Sequence, residues 1–316
     1  MKLKKRYQFA AAAILAGLSL SASADLITFD PTGTAGAAGN ISNVALFDWA
    51  PGSALATGVN SAAGLTVGTN FTTYFQANLG TVQAADTSAL FTNGGGGAYF
   101  TAVAGFGETV LTCSAGGGGF CTNATFGFWN GPVNFFDIYA VGGTANNLTG
   151  AGFTGTSVLH GVVVPSGFGS NFALSSSTPQ NLDQSPNGND WVGTTTVSGT
   201  GSSDITVLIT GVNSAYFPDL MVGGMITFSA FNTSQILPFK QVDPSRCMAN
   251  GSADCAIAAN IGTFNGAPIG AGGGPNVIFQ ADANQSFTRV VPEPMTLALL
   301  GVGLLGLAMT RRRQTS

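Results

Sequence analysis

The chain has 316 residues, of which 45% are hydrophobic, only 8% are charged and 23 are phenylalanine. No lysine or arginine occurs between Arg6 and Lys240. That span has no cation to neutralise phosphate, which excludes nucleic-acid binding and leaves any nucleotide pocket without its usual basic partner. Aromatic content on this scale also excludes an intrinsically disordered chain.

The first segment is an address. Lys2, Lys4, Lys5 and Arg6 make a basic start, Phe9 to Leu20 is apolar, and "SASAD" places Ala22 and Ala24 in the small-x-small arrangement that signal peptidase accepts. Residues 1–24 are therefore a secretory signal, cleaved between Ala24 and Asp25, and take no part in the fold. With the C-terminal segment beyond residue 290 also set aside, 25–290 form one exported domain, long enough for a sizeable core. Thirteen acids against Lys240, Arg246 and Arg289 give this body a formal charge of 3 − 13 = −10, compared with −4 for the whole chain. Such a surface repels anionic lipid and acidic polysaccharide unless divalent cations bridge them, while neutral glycans remain permitted.

Along the body, short β-prone runs are separated by Gly, Asn, Ser and Thr. "VQAADTSALF" is the best short helix candidate, and no longer amphipathic helix lies between Asp25 and Gln280. "GAYFTAVAGFGETVLT", "NFFDIYAVG", "SVLHGVVVPSGFG" and "GMITFSAFNTS" have strand length and strand composition. In "SDITVLITG", Ile205, Val207 and Ile209 face one way and Thr206, Leu208 and Thr210 the other. Gly94–Gly97 and Gly116–Gly119 read as loop tips, and "NLDQSPNGNDWVG" as a loop turned at Pro186, Asn187 and Gly188. A flexible glycine-rich stretch near Gly270 to Pro275 precedes a last strand or a tether to the sorting signal. Many strands without alternating helices predict an all-β, antiparallel, sandwich-like domain with long Gly/Ser/Asn-rich loops.

Four cysteines suit an exported protein. Cys113 and Cys121 enclose seven residues, as do Cys247 and Cys255. Four cysteines allow three pairings. The local pairs are expected, each stabilising by about 2.5 kcal/mol in the chain-entropy picture. A zinc site would need closer spacing and histidine partners.

Candidate chemistry is sparse, and neither enzyme activity nor a cofactor is expected. His160 lies within a predicted strand, and no G-x-S-x-G elbow supplies a serine for it. Glu108 in "GFGETV" is the only Glu of the body, and glycoside hydrolysis would need a second acid beside it. Asp183, Asn187, Asn189 and Asp190 offer oxygens on one loop, a weak calcium candidate without EF-hand spacing. Trp49, Trp129 and Trp191 each stand near Pro or Gly at a strand end. Exposed, they could stack on sugar rings; buried, they belong to the core.

The last segment is "VVPEPMTLALLGVGLLGLAMTRRRQTS". Met295 to Thr310 is 16 residues without a charge. As a helix it rises roughly 24 Å, short of the roughly 30 Å hydrocarbon layer. Arg311, Arg312 and Arg313 resist translocation, so an exported chain would stall here at the inner membrane with its body outside. Pro292 and Pro294 hold the strip around Glu293 extended at the helix lip.

Pro292-Glu293-Pro294, the Leu/Gly-rich helix and the arginine cluster resemble, in order and spacing, the PEP-CTERM sorting signal of exopolysaccharide-producing Gram-negative bacteria, here residues 291–316. The resemblance implies recognition and processing by a membrane-embedded exosortase, and a secreted or envelope location. "ITFDPTGTAGAAGNISNVALFDWAPGSALA", "TYFQANL", "FTAVAGFGE", "NFFDIY" and "NDWVGTTTVSGTG" are similar to the flocculation-associated PEP-CTERM protein PepA family. That similarity implies a partner in exopolysaccharide and a role in cell aggregation and biofilm matrix. The alternatives are a secreted glycan-active hydrolase and a carbohydrate-binding adhesin.

Overall fold

The computed structural model describes residues 25–36, 38–59, 65–115, 121–228, 235–265 and 274–287. The cleavage site at Ala24, the second glycine run, the Pro-Glu-Pro motif, the arginine cluster and the sorting helix lie outside the described residues. No helix among the described residues is long and apolar enough to cross a membrane.

In chain order the strands are β1 (Ile27–Phe29), β2 (Ile41–Val44), β3 (Leu46–Thr57), β4 (Asn70–Gln83), β5 (Ala89–Thr92), β6 (Tyr99–Ala115), β7 (Cys121–Trp129) and β8 (Phe135–Val141). They continue with β9 (Thr156–Asn181), β10 (Thr195–Val212), β11 (Met225–Phe228), β12 (Gln235–Leu237), β13 (Cys247–Met248), β14 (Ile257–Ala258), β15 (Phe264–Asn265) and β16 (Val277–Ser286). The all-β, largely antiparallel architecture agrees with the sequence. The segment read as a short helix is instead the β4–β5 hairpin. Its turn closes with Ala84 N–H donating to Ser88 O, and Asp86 accepts from Ser88. The Ala-Ala-Asp-Thr-Ser run has helical composition, but pairing of Val82 with Phe91 across the hairpin overrides it.

Twelve strands form one sheet whose pairings close on themselves. Around the ring run β10, β12, β16, β3, β4, β6, β7 and β9, and β9 then pairs with β10 again. The long β9–β10 pair makes this possible. It stays paired from Asn181↔Thr195 to Leu159↔Val212 while its register shifts at four bulges or irregularities, and bulges bend and twist strands. At one end β7 sits between β6 and β9; at the other, β8 takes that place. Closure protects strand edges that would otherwise be open to foreign pairing.

The two ends are filled differently. At the β8 end a solid aromatic cluster contains Phe29, Phe47, Trp49, Phe100, Phe217 and Phe287, all fully buried. Rings there meet edge-on, as with Phe29–Phe47 at 5.0 Å and Phe47–Phe287 at 5.2 Å. Ile205, Val207 and Ile209 of β10 are buried against this core as predicted, and Thr210 is exposed, but Thr206 between them is buried as well. At the same end the body's first and last described residues meet: Asp25 N–H donates to Phe287 O at 2.9 Å. At the β7 end the ring encloses a cavity.

Loops are fastened by buried amides. Gln76 on β4 donates to Ser245 Oγ and to Cys247 O, both at 3.1 Å, and accepts from Ala249 N–H at 2.9 Å. Asn78 grips Ala145 through both its N–H and its carbonyl. Asn265 does the same to Ile278. A buried amide costs free energy unless its donors and acceptors are met; meeting them with loop backbone locks the loops to the sheet. The two disulfides are Cys113–Cys121 and Cys247–Cys255, the local pairs expected from spacing.

Candidate functional site

The cavity at the β7 end has a volume of about 120 Å³, and every strand of the ring contributes to its wall. Phe71, Phe126, Phe172 and Phe279 give it an aromatic lining, and Ala56 and Ala124 leave the open space. Phe172 is held down because its ring lies over Gly199, where any Cβ would stand 2.4 Å from it. The Cys113–Cys121 bridge forms part of the wall through Cys121.

Into this apolar space projects Glu108 of β6, 4% exposed. Register explains its position: Glu108 lies opposite Phe71 on β4 and Phe128 on β7, one step from the glycine pair position Gly107. Thr73 Oγ1 donates to Glu108 Oε2. Glu108 Oε1 has no hydrogen-bond partner. Burial pushes the carboxyl up to about 7, with the Thr73 and Ser170 hydroxyls pulling the other way. Ser170 Oγ also shares a hydrogen bond with Ser203 Oγ at 2.8 Å, and Gln235 Nε2 donates to the same Ser203 oxygen at 2.6 Å. Among the described lining residues Glu108 is the only acid, so the second carboxyl that glycoside hydrolysis requires is not beside it.

His160 sits elsewhere, on β9 at the β8 end. Its Nδ1 is 2.6 Å from Asp137 Oδ1, with the imidazole 48% exposed and the aspartate side chain 3%. Burial raises the Asp137 carboxyl, and the hydrogen bond and charge of His160 counter it. Sequence spacing gave no sign of this pair; it is created by the Asp137↔His160 register of β8 and β9. Ser157, Asn213 and Ser214 line the shallow depression around the ring. No serine hydroxyl is hydrogen-bonded to the imidazole among the described residues, which leaves two members of a triad without a nucleophile.

The acidic loop is partly as expected. Carboxylate oxygens of Asp183, Asp190 and Asp243 come within 4.8 Å of one another. Asp243, sixty residues from Asp183 in sequence, was not legible as a partner. Asn187 of the same loop donates its Nδ2 to Asp243 Oδ2 at 3.2 Å. Asp183 already accepts from the Ser185 and Asp190 amides at 3.0 and 2.8 Å, the bonding of a loop lock.

Of the three tryptophans, Trp49 is corrected as a glycan contact: it has no exposed surface and donates to Gln285 Oε1 at 3.1 Å inside the core. Trp129 and Trp191 are half-buried. Trp191 donates to Pro244 O at 2.7 Å and lies under the Arg246 guanidinium at 5.3 Å.

Fold and site together define a disulfide-stapled, acidic β protein, closed on itself around one carboxyl-bearing cavity. Residues 290–313 match the PEP-CTERM protein-sorting motif. The chain thus carries at its C-terminal end the sorting signal of exported, envelope-associated proteins. No curated protein and no solved structure matches it.

Proposed function

We propose that this protein, exported from a Gram-negative cell and processed by exosortase, joins the extracellular matrix, associates with exopolysaccharide and promotes cell aggregation. The observation that carries this reading is the sorting motif at residues 290–313 on an exported body of charge −10. The resemblance to the flocculation-associated PepA family supports the same role. So does an uncharged polar ladder on β9 and β10, where Asn171 Nδ2 donates to Ser202 Oγ and Gln180 Nε2 to Ser198 Oγ, each at 2.7 Å. Hydroxyls and amides in such a row match the donor and acceptor pattern of a neutral glycan, and cations bridging the acids would extend the contact to acidic chains. The hydrophobic tail holds the protein at the inner membrane only until processing, and catalysis is not part of the role.

The test is a chromosomal deletion, and beside it a strain lacking only 291–316. Both should stop forming flocs while polysaccharide output is unchanged, and mass spectrometry of the mature protein should find no Arg313. Normal flocculation in the deletion strain would refute the role. An extracellular product still ending beyond Arg313 would refute the processing step.

A further inference from the structure

The cavity has two features that packing alone does not explain. Its wall is built by all eight strands of a closed ring, yet aromatic side chains from β4, β7, β9 and β16 stop short of filling it. Native interiors are close-packed, and space beyond a water molecule is uncommon in them. The second feature is the orphaned acceptor. Glu108 Oε1 is buried and without a partner, although its twin Oε2 is held by Thr73. A buried polar atom left unpaired is costly, and in a native structure it calls for a reason.

The two features fit one occupant. At about 120 Å³ the cavity is of the order of the ~150 Å³ apolar cavity that takes up benzene. The aromatic lining rewards an apolar body. One free acceptor matches one donor: a hydroxyl has a single proton to give, whereas an ammonium brings three, and two of them would find no vacant acceptor in an apolar wall. Burying an ammonium would also require desolvating two charges, which their attraction repays only with further hydrogen bonds.

We propose that the ring cavity is a binding site for a small, largely apolar molecule of about benzene's size that carries one hydroxyl, donated to Glu108 Oε1. This inference stands independently of the matrix role, since neither the sorting motif nor the β9–β10 surface enters it. Glu108 here is a ligand-orienting group, not a catalytic one.

Phenol and benzene are the probes. They differ by the hydroxyl alone. The exported protein, isolated from cells without detergent, would be titrated with each at pH 8, above the carboxyl's value of about 7 so that Oε1 is an acceptor, and followed by NMR of its aromatic resonances. One phenol should bind per chain, at least about tenfold tighter than benzene, the ratio equivalent to about 1.4 kcal/mol. Glu108→Leu, which keeps the cavity apolar, should lose the preference, with phenol bound no tighter than benzene because its buried hydroxyl has no partner. Ala124→Leu, which fills the space from β7, should weaken both. Equal binding of phenol and benzene to the unaltered protein would overturn the proposal. So would unchanged phenol preference in Glu108→Leu, or no binding of either probe up to the solubility of benzene; the last result would assign the space and Oε1 to water.

Discussion

Replacing Glu108 by Gln should change how stability depends on pH, and the size of the change follows from where the carboxyl sits. In the unfolded chain it titrates near 4.5; in the folded protein burial raises it to about 7. The folded state therefore holds the proton more tightly. This contribution is fully present below 4.5 and is lost as pH rises through about 7, because the unfolded state gains from ionising across the whole window while the folded state does not. Each pKa unit is worth about 1.4 kcal/mol, so the loss amounts to about 3 kcal/mol. Urea unfolding of both proteins at a series of pH values, disulfides intact, reads it directly. The unaltered protein should lose about 3 kcal/mol more than Glu108→Gln between pH 4.5 and 7 and run parallel to it above. The raised Asp137 carboxyl acts in both proteins and cancels in the difference. Curves that run parallel throughout would refute the reasoning, since they would mean that Glu108 is solvated in solution.

Other consequences can be checked on the same protein. Replacing Cys113 and Cys121 together by Ser should cost about 2.5 kcal/mol in urea unfolding, as expected for releasing so short a loop. Gln76→Ala strands the Ala249 N–H, while the Cys247 carbonyl keeps its bond from Ser245 Oγ, so it should cost about 1–3 kcal/mol and abolish hydrogen-exchange protection at Ala249. His160 and Asp137 should couple by about 1 kcal/mol in a double-mutant cycle with His160→Ala and Asp137→Asn, a modest value because the imidazole is half exposed. Gly199→Ala drives a methyl into the Phe172 ring, so it should displace that ring and reduce the cavity, visible as shifted Phe172 resonances.

The sequence carried the strand-rich class because period-2 alternation is a local property, as in Ile205, Val207 and Ile209. Disulfide pairing was legible for the same reason: partners eight positions apart need no fold to find each other. Ring closure was not, because it depends on β9 reaching both β7 and β10, and no residue of β9 declares its neighbours. Glu108 stood out as a lone acid, but its seclusion arises from register with Phe71 and Phe128, a long-range fact. Asp243 and Asp137 were invisible as partners of Asp183 and His160 for the same cause. Trp49 shows the reverse limit: flanking Pro and Gly suggested an exposed strand end, yet Pro51 and Gly52 lie within β3 itself. There a Cβ at Gly52 would meet Gln76 O at 2.2 Å, so the glycine serves close strand approach in the interior.

The hydrogen bond between Asp25 and Phe287 has a geometric corollary. The two ends of the described body lie side by side, at one pole of the ring. β16 runs from that pole to the cavity wall over ten residues, roughly 30 Å at the rise of a strand. The pocket thus opens at the opposite end of the ring from both ends of the described body.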